Sequence, residues 1–200
     1  MPERPLALFY AGPNGSGKST LRELDDDSRI QTHIDPDAIA RAMNAGDAQA
    51  TDLSAGREAL RRFEAALAAK TSFSMETTLS GTSILKRMAD ARAAGFEVAL
   101  RYVALDDPDE NVARVADRVA RGGHHIPEEV IRRRYTESLG NLPRAIVLCD
   151  KAIIRDNSGT HAVTHLVIEN NTIERRTENP PQWIVNVEAR IAQDLITRCD

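Results

Sequence analysis

The stretch Leu6-Ala-Leu-Phe-Tyr-Ala-Gly-Pro-Asn-Gly-Ser-Gly-Lys-Ser-Thr20 decides the fold class of this chain. It opens with a continuous apolar run, which is typical of a parallel strand buried on both faces. The segment that starts at Gly12 matches the pattern Gly-x-x-x-x-Gly-Lys-[Ser/Thr] without a mismatch. Leu21 and Leu24 then continue the chain as a short helix. A strand, a glycine-rich loop and a helix in this order predict a phosphate-binding loop.

The chemistry of this loop predicts a nucleoside triphosphate and Mg²⁺ as ligands. Glycines let backbone N–H groups point at phosphate oxygens, and the helix N-terminus adds its partial positive charge. We expect Lys18 to reach the β- and γ-phosphates and the Ser19 hydroxyl to bind Mg²⁺. The predicted nucleotide-binding residues are Gly12, Pro13, Asn14, Gly15, Ser16, Gly17, Lys18, Ser19 and Thr20.

Strand and helix patterns alternate along the rest of the chain. Further strands are predicted near 31–34, 72–75, 98–105 and 152–154, and further helices near 53–69, 82–94, 108–121 and from 127 onward. The tail over about 161–200 is predicted to hold a hairpin turned by Asn170-Asn171 and a helix over about 184–197. This alternation predicts a three-layer α/β fold with a mostly parallel central sheet flanked by helices. We expect a single domain over 1–200.

Composition narrows the class of protein. The 200 residues hold 26 Lys and Arg against 30 Asp and Glu, a formal charge of −4, and only 4% are aromatic. A chain with so few cations and stacking rings is not expected to bind nucleic acid along its surface. Cys149 and Cys199 lack the spacing of a disulfide framework or a zinc site. No apolar run approaches the roughly 20 residues that span a bilayer, so we expect a cytoplasmic protein without a membrane partner.

Acids follow two of the predicted strands, where ligands bind in open α/β sheets. Asp35 precedes Pro36 and is expected to cap a helix, which leaves Asp37 as the candidate general base for an attacking hydroxyl. Glu76 follows another strand and is a candidate for binding a substrate hydroxyl or a magnesium-bound water. Thr78 is a candidate hydrogen-bond partner of the substrate. A loop acid with a capping threonine is an equally open interpretation of this pair.

Arg114, Arg118 and Arg121 share one face of the helix predicted over 108–121. Arg114 and Arg121 each have an acid four residues earlier, an arrangement that forms ion pairs on a helix surface. Arg118 has no such partner. We therefore predict that Arg118 contacts phosphate.

The pair Gly122-Gly123 separates two helices that both carry arginines. Arg132-Arg133-Arg134 wraps around the second helix, so these three side chains cannot all face one site. The apolar stripe of that helix brings Arg134 nearest to the core edge. Arginines on both sides of a glycine hinge predict a helical lid over about 114–134 that closes on transferring phosphate. His124, beside the hinge, is a candidate ligand contact.

In their order along the chain, these motifs resemble the zeta-toxin family of P-loop kinases. The resembling segments are Gly12-Pro-Asn-Gly-Ser-Gly-Lys-Ser19, Ile34-Asp-Pro-Asp37, Glu76-Thr-Thr78, Arg118-Val-Ala-Arg-Gly-Gly-His124, Ile126-Pro-Glu128, Arg133-Arg-Tyr135 and Asp156-Asn-Ser158. The phosphate loop is shared by many NTPases, whereas the later motifs in this order are more specific. Members of the family are small kinases with a parallel sheet flanked by helices. The best-known members phosphorylate UDP-N-acetylglucosamine and are restrained by a helical antitoxin.

The resemblance implies ATP and Mg²⁺ as cofactors, handled by Lys18 and Ser19. It implies Asp37 as the general base for a sugar hydroxyl. Arg118 and Arg134 would act with Lys18 on the transferring phosphate and would complete the catalytic set. These roles describe a phosphotransferase with an alcohol group as acceptor.

The residues expected to bind the acceptor agree with the family at some positions and differ at another. The resemblance implies Glu76 and Thr78 as substrate-binding residues, and Arg121, His124 and Arg133 are further candidates in the same predicted crevice. The toxins carry an arginine two residues after the substrate threonine, where this chain has Ser80. The acceptor is therefore UDP-N-acetylglucosamine or another nucleotide sugar, or alternatively a different metabolite. A non-toxin nucleotide-binding ATPase module that acts through a protein partner is the other open interpretation.

Overall fold

The computed structural model describes residues 3–25, 27–43 and 48–196. Within these ranges the strands are β1 (Leu6–Ala11), β2 (Thr32–Ile34), β3 (Phe73–Thr77), β4 (Glu97–Ala104), β5 (Lys151–Asp156), β6 (Val163–Glu169) and β7 (Thr172–Arg175). The helices are α1 (Lys18–Leu24), α2 (Pro36–Met43), α3 (Ala48–Ala69), α4 (Ser83–Ala93), α5 (Pro108–Ala120), α6 (Glu128–Val147) and α7 (Gln182–Ile196). The predicted alternation of strands and helices is confirmed.

The seven strands form one sheet in the order β2-β3-β1-β4-β5-β6-β7. The first five strands in this order are parallel, and β6 and β7 join as antiparallel edge strands. The carboxyl ends of the parallel strands therefore meet at one edge of the sheet. The predicted mostly parallel α/β fold is confirmed.

Strand β3 extends further than its sequence pattern indicates. The apolar run predicts a strand near 72–75, whereas the structure pairs Glu76 with Tyr10 and Thr77 with Ala11 of β1. Pairing with the buried strand β1 continues beyond the last apolar side chain, because the backbone N–H and C=O groups of polar residues form the same hydrogen bonds between strands. Glu76 is thus a strand residue with a side chain that is only 8% exposed.

Side chains of β1 alternate between two cores. Phe9 belongs to the large core that α2, α3, α4, α6 and α7 cover, and Leu8 and Tyr10 join a small core with Leu21 of α1. Phe73 lies at the centre of the large core. Its ring centroid is 6.0 Å from that of Phe9, 5.5 Å from that of Phe63 and 5.8 Å from that of Phe96. Helices on both sheet faces make the three layers that the sequence predicts.

The C-terminal part closes the sheet as expected. Asn170 and Asn171 have φ of 51° and 62°, which suits the tight turn of a β-hairpin. Trp183 of α7 is 6% exposed and lies 6.1 Å from the ring of Tyr102. Cys149 has a free thiol, whereas Cys199 and the predicted helix end at residue 197 lie outside the described residues. In the part of the chain that the structure describes, no helix is both long and apolar enough to cross a membrane.

Candidate active site

The loop between β1 and α1 is shaped by contacts that only glycine permits. Gly12 has φ of 146°, and a Cβ atom there would lie 1.9 Å from the carbonyl oxygen of Val103. Gly17, with φ of 98°, is the N-cap of α1, and a Cβ there would lie 2.5 Å from the side-chain amide of Asn157. The loop is therefore pressed against the ends of β4 and β5, with its backbone held at the N-terminus of α1.

Lys18 lies at the start of α1 with its ammonium folded over the loop. Its Nζ donates hydrogen bonds of 2.8 Å to the carbonyl oxygens of Gly12 and Pro13. Burial lowers the pKa of Lys18 to about 8, although Glu76 and Asp37 oppose this shift by favouring the charged form. A buried ammonium that is bound only by neutral carbonyls gains most from a ligand that carries negative charge.

Glu76 lies beneath the loop, close to the residue predicted to bind magnesium. Its Oε2 accepts a hydrogen bond of 3.1 Å from the Ser19 hydroxyl, and its Oε1 lies 3.0 Å from Nε of Arg22. The Arg22 contact is an ion pair without hydrogen-bond geometry. Burial and the nearby Asp35 raise the pKa of Glu76, while Arg22 and Lys18 counteract the increase. Glu76 therefore faces the nucleotide side of the site.

This arrangement fits ATP with Mg²⁺. Mg²⁺ prefers oxygen ligands and is commonly held by one or two protein oxygens together with substrate phosphates. The Ser19 hydroxyl and the adjacent Glu76 carboxylate are ligands of that kind. Among the described residues, no group of three or more His, Cys, Asp or Glu is placed to hold a metal ion by itself. A magnesium ion at this position would therefore depend on the phosphates of the nucleotide.

Asp35 and Asp37 differ in role, although they are only two residues apart. Asp35 Oδ1 accepts hydrogen bonds from the backbone N–H groups of Asp37 (2.9 Å) and Ala38 (3.1 Å), so it is the N-cap of α2, as predicted. The Asp37 carboxylate is exposed and has no hydrogen-bond or ion-pair partner among the described residues. It is close enough to Lys18 to favour the charged ammonium. A carboxylate with free oxygen atoms can accept a proton from a ligand.

The turn after β3 is strained. Leu79 is fully buried yet has φ of 57°, a left-handed conformation that is unusual for a bulky residue. Its backbone N–H donates to Thr77 Oγ1 at 3.0 Å, and its carbonyl oxygen accepts from Asn141 Nδ2 at 3.0 Å. The Thr78 and Ser80 hydroxyls lie 2.8 Å apart across this turn. Strain of this kind persists where the surroundings over-determine a conformation, often at functional sites.

Arg134 is the member of the arginine triplet that reaches the phosphate loop. Its Nη1 donates a hydrogen bond of 3.2 Å to Asn14 Oδ1. Arg132 instead pairs with Glu128 and Asp109 at the surface. Tyr135 anchors the same helix by donating to the carbonyl oxygens of Leu105 and Asp106.

The other arginines of the predicted lid occupy three different positions. Arg118 is exposed, is near enough to influence Lys18, and donates to the His124 carbonyl oxygen at 3.1 Å. Arg121 is 76% exposed and bonds Asp117, and Arg133 is 63% exposed with Glu137 at 3.7 Å. The structure does not bring Arg121 or Arg133 to the loop, and both side chains lie at the surface beside an acid. Their substrate-binding role, like that of His124, stays a prediction.

A cavity of about 220 Å³ brings six of the predicted site residues together: Asn14, Lys18, Asp37, Glu76, Thr78 and Arg134. We call it the Asp37 cavity. Its lining includes Asn14, Lys18, Asp35, Asp37, Glu76, Thr78, Ile84, Arg87 and Arg134.

Arg87 is a charged lining residue that the sequence patterns did not single out. It lies three residues after Ile84 and four before Ala91, both buried, so it shares the inner face of α4. The sequence does carry a signal for Arg87, since it is a charged residue within the apolar stripe of this helix. Its neighbour Lys86 points outward and pairs with Asp90 at 2.7 Å.

Asp156, Asn157 and Ser158 connect the loop to the rest of the sheet. Asn157 Nδ2 donates to the backbone carbonyl oxygen of Ser16 at 2.9 Å. The backbone carbonyl oxygen of Asn157 accepts from Arg114 Nη2 at 2.8 Å. Asp156 accepts from the backbone N–H and the hydroxyl of Ser158, and from the indole N–H of Trp183 at 2.9 Å. These three residues support the loop from outside the Asp37 cavity.

A family model described as Zeta toxin matches residues 1–165. The chain belongs to the zeta toxin family. The family resemblance drawn from the motifs is thereby confirmed. A Haemophilus influenzae protein, described only as uncharacterized, is 44% identical over 129 residues, which are 64% of this chain and 91% of that protein.

Solved structures agree with this family assignment at the level of the fold. The PezAT chromosomal toxin-antitoxin system of Streptococcus pneumoniae contains a chain that matches with a TM-score of 0.62 at 14% identity, over 99% of this chain and 86% of that one. AvrRxo1-ORF1:ORF2 with ATP matches with a TM-score of 0.68 at 13% identity, over 94% of this chain and 64% of that one. The chain thus spans less than two thirds of the AvrRxo1 chain. At these identities, both likenesses show that the fold is shared.

Proposed function

We propose that this member of the zeta toxin family is an ATP-dependent kinase that transfers the γ-phosphoryl group to a hydroxyl of a small molecule. One observation carries the proposal: the Asp37 carboxylate, which has no partner among the described residues, lines the same cavity as Lys18 of the phosphate loop. Glu76, Thr78 and Arg134 line that cavity as well. An enzyme that only hydrolysed ATP would not need the free Asp37 carboxylate and the Thr78 hydroxyl on the acceptor side.

The two sides of the phosphate loop suggest separate places for donor and acceptor. A second cavity of about 410 Å³ lies beside Gly17 and Thr20 and is lined by Leu24 and Asn157 among others. Its exposed Leu24 offers an apolar surface, and such a surface suits a nucleobase better than it suits a phosphate. We assign the nucleoside of ATP to this second cavity and the acceptor to the Asp37 cavity.

In the proposed reaction, Asp37 accepts the proton of the acceptor hydroxyl. The hydroxyl oxygen then forms a bond to the γ-phosphorus, and the bond from that phosphorus to the bridging oxygen breaks, which leaves ADP. Lys18 and Arg134 compensate the charge on the transferring oxygens, and Arg118 joins them if the segment over about 114–134 closes as a lid. Bound Mg²⁺, held through Ser19, would neutralise phosphate charge. We infer that one domain over 1–200 carries this machinery.

The acceptor and the protein partner are further parts of the proposal. A nucleotide sugar such as UDP-N-acetylglucosamine is an acceptor compatible with the family, and Ser80 leaves room for a different metabolite. A toxin-antitoxin structure among the similar folds supports an antitoxin as partner. Growth arrest on expression of the wild type, relieved in an inactive variant, would be the cellular counterpart of a toxic kinase.

The test of the proposed function is the variant Asp37→Asn. Removal of a general base costs about 10²–10⁴-fold in rate, so we expect transfer from ATP labelled in the γ-phosphate to a metabolite pool to fall by that factor. The affinity for ATP, measured by calorimetry, should stay within about two-fold, since Asp37 contacts neither the loop nor Ser19 through a hydrogen bond.

Glu129→Gln is the matched control, because Glu129 is also an exposed acid in the first turn of a helix but lies outside the cavity. It should transfer phosphate like the wild type. Near-normal transfer by Asp37→Asn would overturn the assignment of the base. Label that reaches only water would overturn the kinase itself.

A further inference from the structure

Three cations line the Asp37 cavity, and two of them are already bound to the phosphate loop. Lys18 is hydrogen-bonded to Gly12 and Pro13, and Arg134 to Asn14. Both therefore serve the side on which the phosphates of ATP are expected. Arg87 is the third cation, and it belongs to α4, which also contributes Ile84 to the lining.

Arg87 is half-buried, and its guanidinium forms no bond within the described part of the chain. Among the described residues, no hydrogen-bond acceptor and no carboxylate pairs with its guanidinium. Its pKa is lowered by burial, and no nearby carboxylate offsets this effect. A guanidinium that is partly removed from water without a counter-charge is costly to the folded protein. The neighbouring Lys86 shows the ordinary alternative, an exposed ion pair with Asp90 on the same helix.

Packing alone does not account for a guanidinium at position 87. Ile84, Met88 and Ala91 on the same helix face are buried in the large core, and an apolar residue at position 87 would extend that stripe. Arginine instead places planar donors at the wall of a cavity whose other acceptor-side groups are the Thr78 hydroxyl and the Asp37 carboxylate. Of these, only Arg87 can attract an anion.

We propose that Arg87 binds an anionic group of the acceptor, so that the substrate of the kinase is an alcohol that already carries a phosphate or carboxylate. The inference rests on the proposed kinase function, whose nucleotide-sugar acceptors already carry phosphate. It adds to that function the residue that would select for the anionic group. The hydroxyl would lie at Asp37 and Thr78, and the anionic group would lie beside Arg87. A neutral alcohol would leave the Arg87 guanidinium without a counter-charge in the closed site.

Anion-exchange chromatography separates anionic from neutral acceptors, and this does not require the acceptor to be identified. A small-molecule cell extract is divided into a retained, anionic fraction and an unretained, neutral fraction. Each is incubated with the full chain, Mg²⁺ and ATP labelled in the γ-phosphate, and the labelled products are resolved by chromatography. We expect label to reach a compound of the retained fraction and none of the unretained fraction.

The variant Arg87→Gln then links the anion to this side chain. Loss of a charge-assisted hydrogen bond corresponds to about 10- to 100-fold, so we expect the concentration of retained fraction at half-maximal rate to rise by that factor. Arg87→Lys should recover part of the loss, because it restores the charge without the planar donors. Lys86→Gln, one residue away, should match the wild type.

The outcomes separate the inference from the function on which it rests. Two results would overturn the role of Arg87 and leave the kinase intact. One is transfer to a compound of the neutral fraction. The other is a half-maximal concentration of retained fraction in Arg87→Gln equal to that of the wild type. Label released only as inorganic phosphate with both fractions would overturn the kinase and this inference together. The inference would be supported if Arg87→Gln raised the half-maximal concentration and Arg87→Lys raised it less. A merely structural role would not be rescued by charge.

Discussion

The Lys18 ammonium combines burial with neutral hydrogen-bond partners, and this makes its charge sensitive to pH. Its pKa of about 8 lies below the ordinary value of 10.5 because burial penalises the charged form. Between these two values the unfolded chain holds the proton more tightly than the folded chain does. The stability of the free protein should therefore rise with pH over this window. A bound phosphate would reverse the effect, because a negative ligand favours the charged ammonium.

We accordingly expect ATP affinity to weaken as the pH rises above about 8, by up to about 10-fold per pH unit. Calorimetric titration of ATP with Mg²⁺ between about pH 7 and 9.5 measures this dependence. The tyrosines do not interfere, since burial raises the pKa values of Tyr10 and Tyr135 to about 12. Lys18→Met should bind ATP more weakly and with a flat pH profile. An equal slope in that variant would assign the titration to another group.

At the same scale, the capping rules alone separate Asp35 from Asp37. Asp35 is the cap because it directly precedes Pro36 at the start of a helix, which is a local property. Arg134 and Arg87 depend on how α6 and α4 rotate against the sheet. The apolar stripe of α6 already placed Arg134 nearest to the core edge. Spacing alone could not assign a role to Arg87, since an arginine on the inner face of a helix is compatible with either a core edge or a cavity.

At the scale of elements, the corner between α5 and α6 is built around Arg118 and two glycines. Gly123 donates its backbone N–H to the Arg118 carbonyl oxygen at 3.0 Å, and a Cβ at Gly123 would lie 2.7 Å from Arg118 Cγ and 2.8 Å from that oxygen. Val115, Ile126 and Ile131 form a small core of their own beneath this corner. The two helices thus pack on each other as a unit beside the loop.

Alanine substitutions at two glycines test this corner. Gly123→Ala should displace Arg118 and lower both the stability, by about 1–3 kcal/mol, and the rate of phosphate transfer. Gly140→Ala should instead stabilise the protein by about 0.5–1 kcal/mol, because Gly140 lies inside α6 with open space around it. Urea unfolding and the transfer assay provide the two readouts. Equal effects of the two substitutions would contradict the close approach at Gly123.

At the scale of the whole molecule, α7 is tied to the phosphate-loop edge through one buried carboxylate. Asp156 at the end of β5 accepts the indole N–H of Trp183, and the adjacent Asn157 holds the loop at Ser16. Helix α7 follows the residues that the family model matches, and Ile184, Val187 and Ile191 extend the large core. The C-terminal helix therefore helps to hold the loop from a distance.

Trp183→Phe isolates the polar part of this connection. Phenylalanine keeps most of the packing on Tyr102 but removes the indole donor to Asp156. The carboxylate keeps its bonds from Ser158, so the expected cost is that of one hydrogen bond to a charged group, about 1.5–3 kcal/mol. Urea unfolding should show a decrease of that size with an unchanged m-value. Val185→Ala on the same helix, where the side chain is 38% exposed, should change the stability by less than about 1 kcal/mol. A decrease no larger than that of the control would exclude this role of the indole N–H.

The formal charge of −4 and the cations of the site describe different properties of the molecule. Charge averaged over the chain argues against a long polyanion along the surface. Lys18, Arg87 and Arg134 nevertheless face one cavity. A small phosphorylated ligand in that cavity is compatible with an acidic protein, because the field at close range is set by neighbouring groups rather than by the total.

The sequence by itself determined the strand–loop–helix unit, the alternation of elements, the cap at Asp35 and the family. Each of these depends on residues near one another in the chain, where glycine geometry, hydrogen bonding and apolar periodicity act locally. Only the tertiary structure decided which distant groups meet. It brought Glu76 to Ser19, Arg134 to Asn14 and Arg87 to the Asp37 cavity, and it left Arg121 and Arg133 at the surface. Helix rotation and strand register decide those contacts, and both are set by packing across the whole sheet.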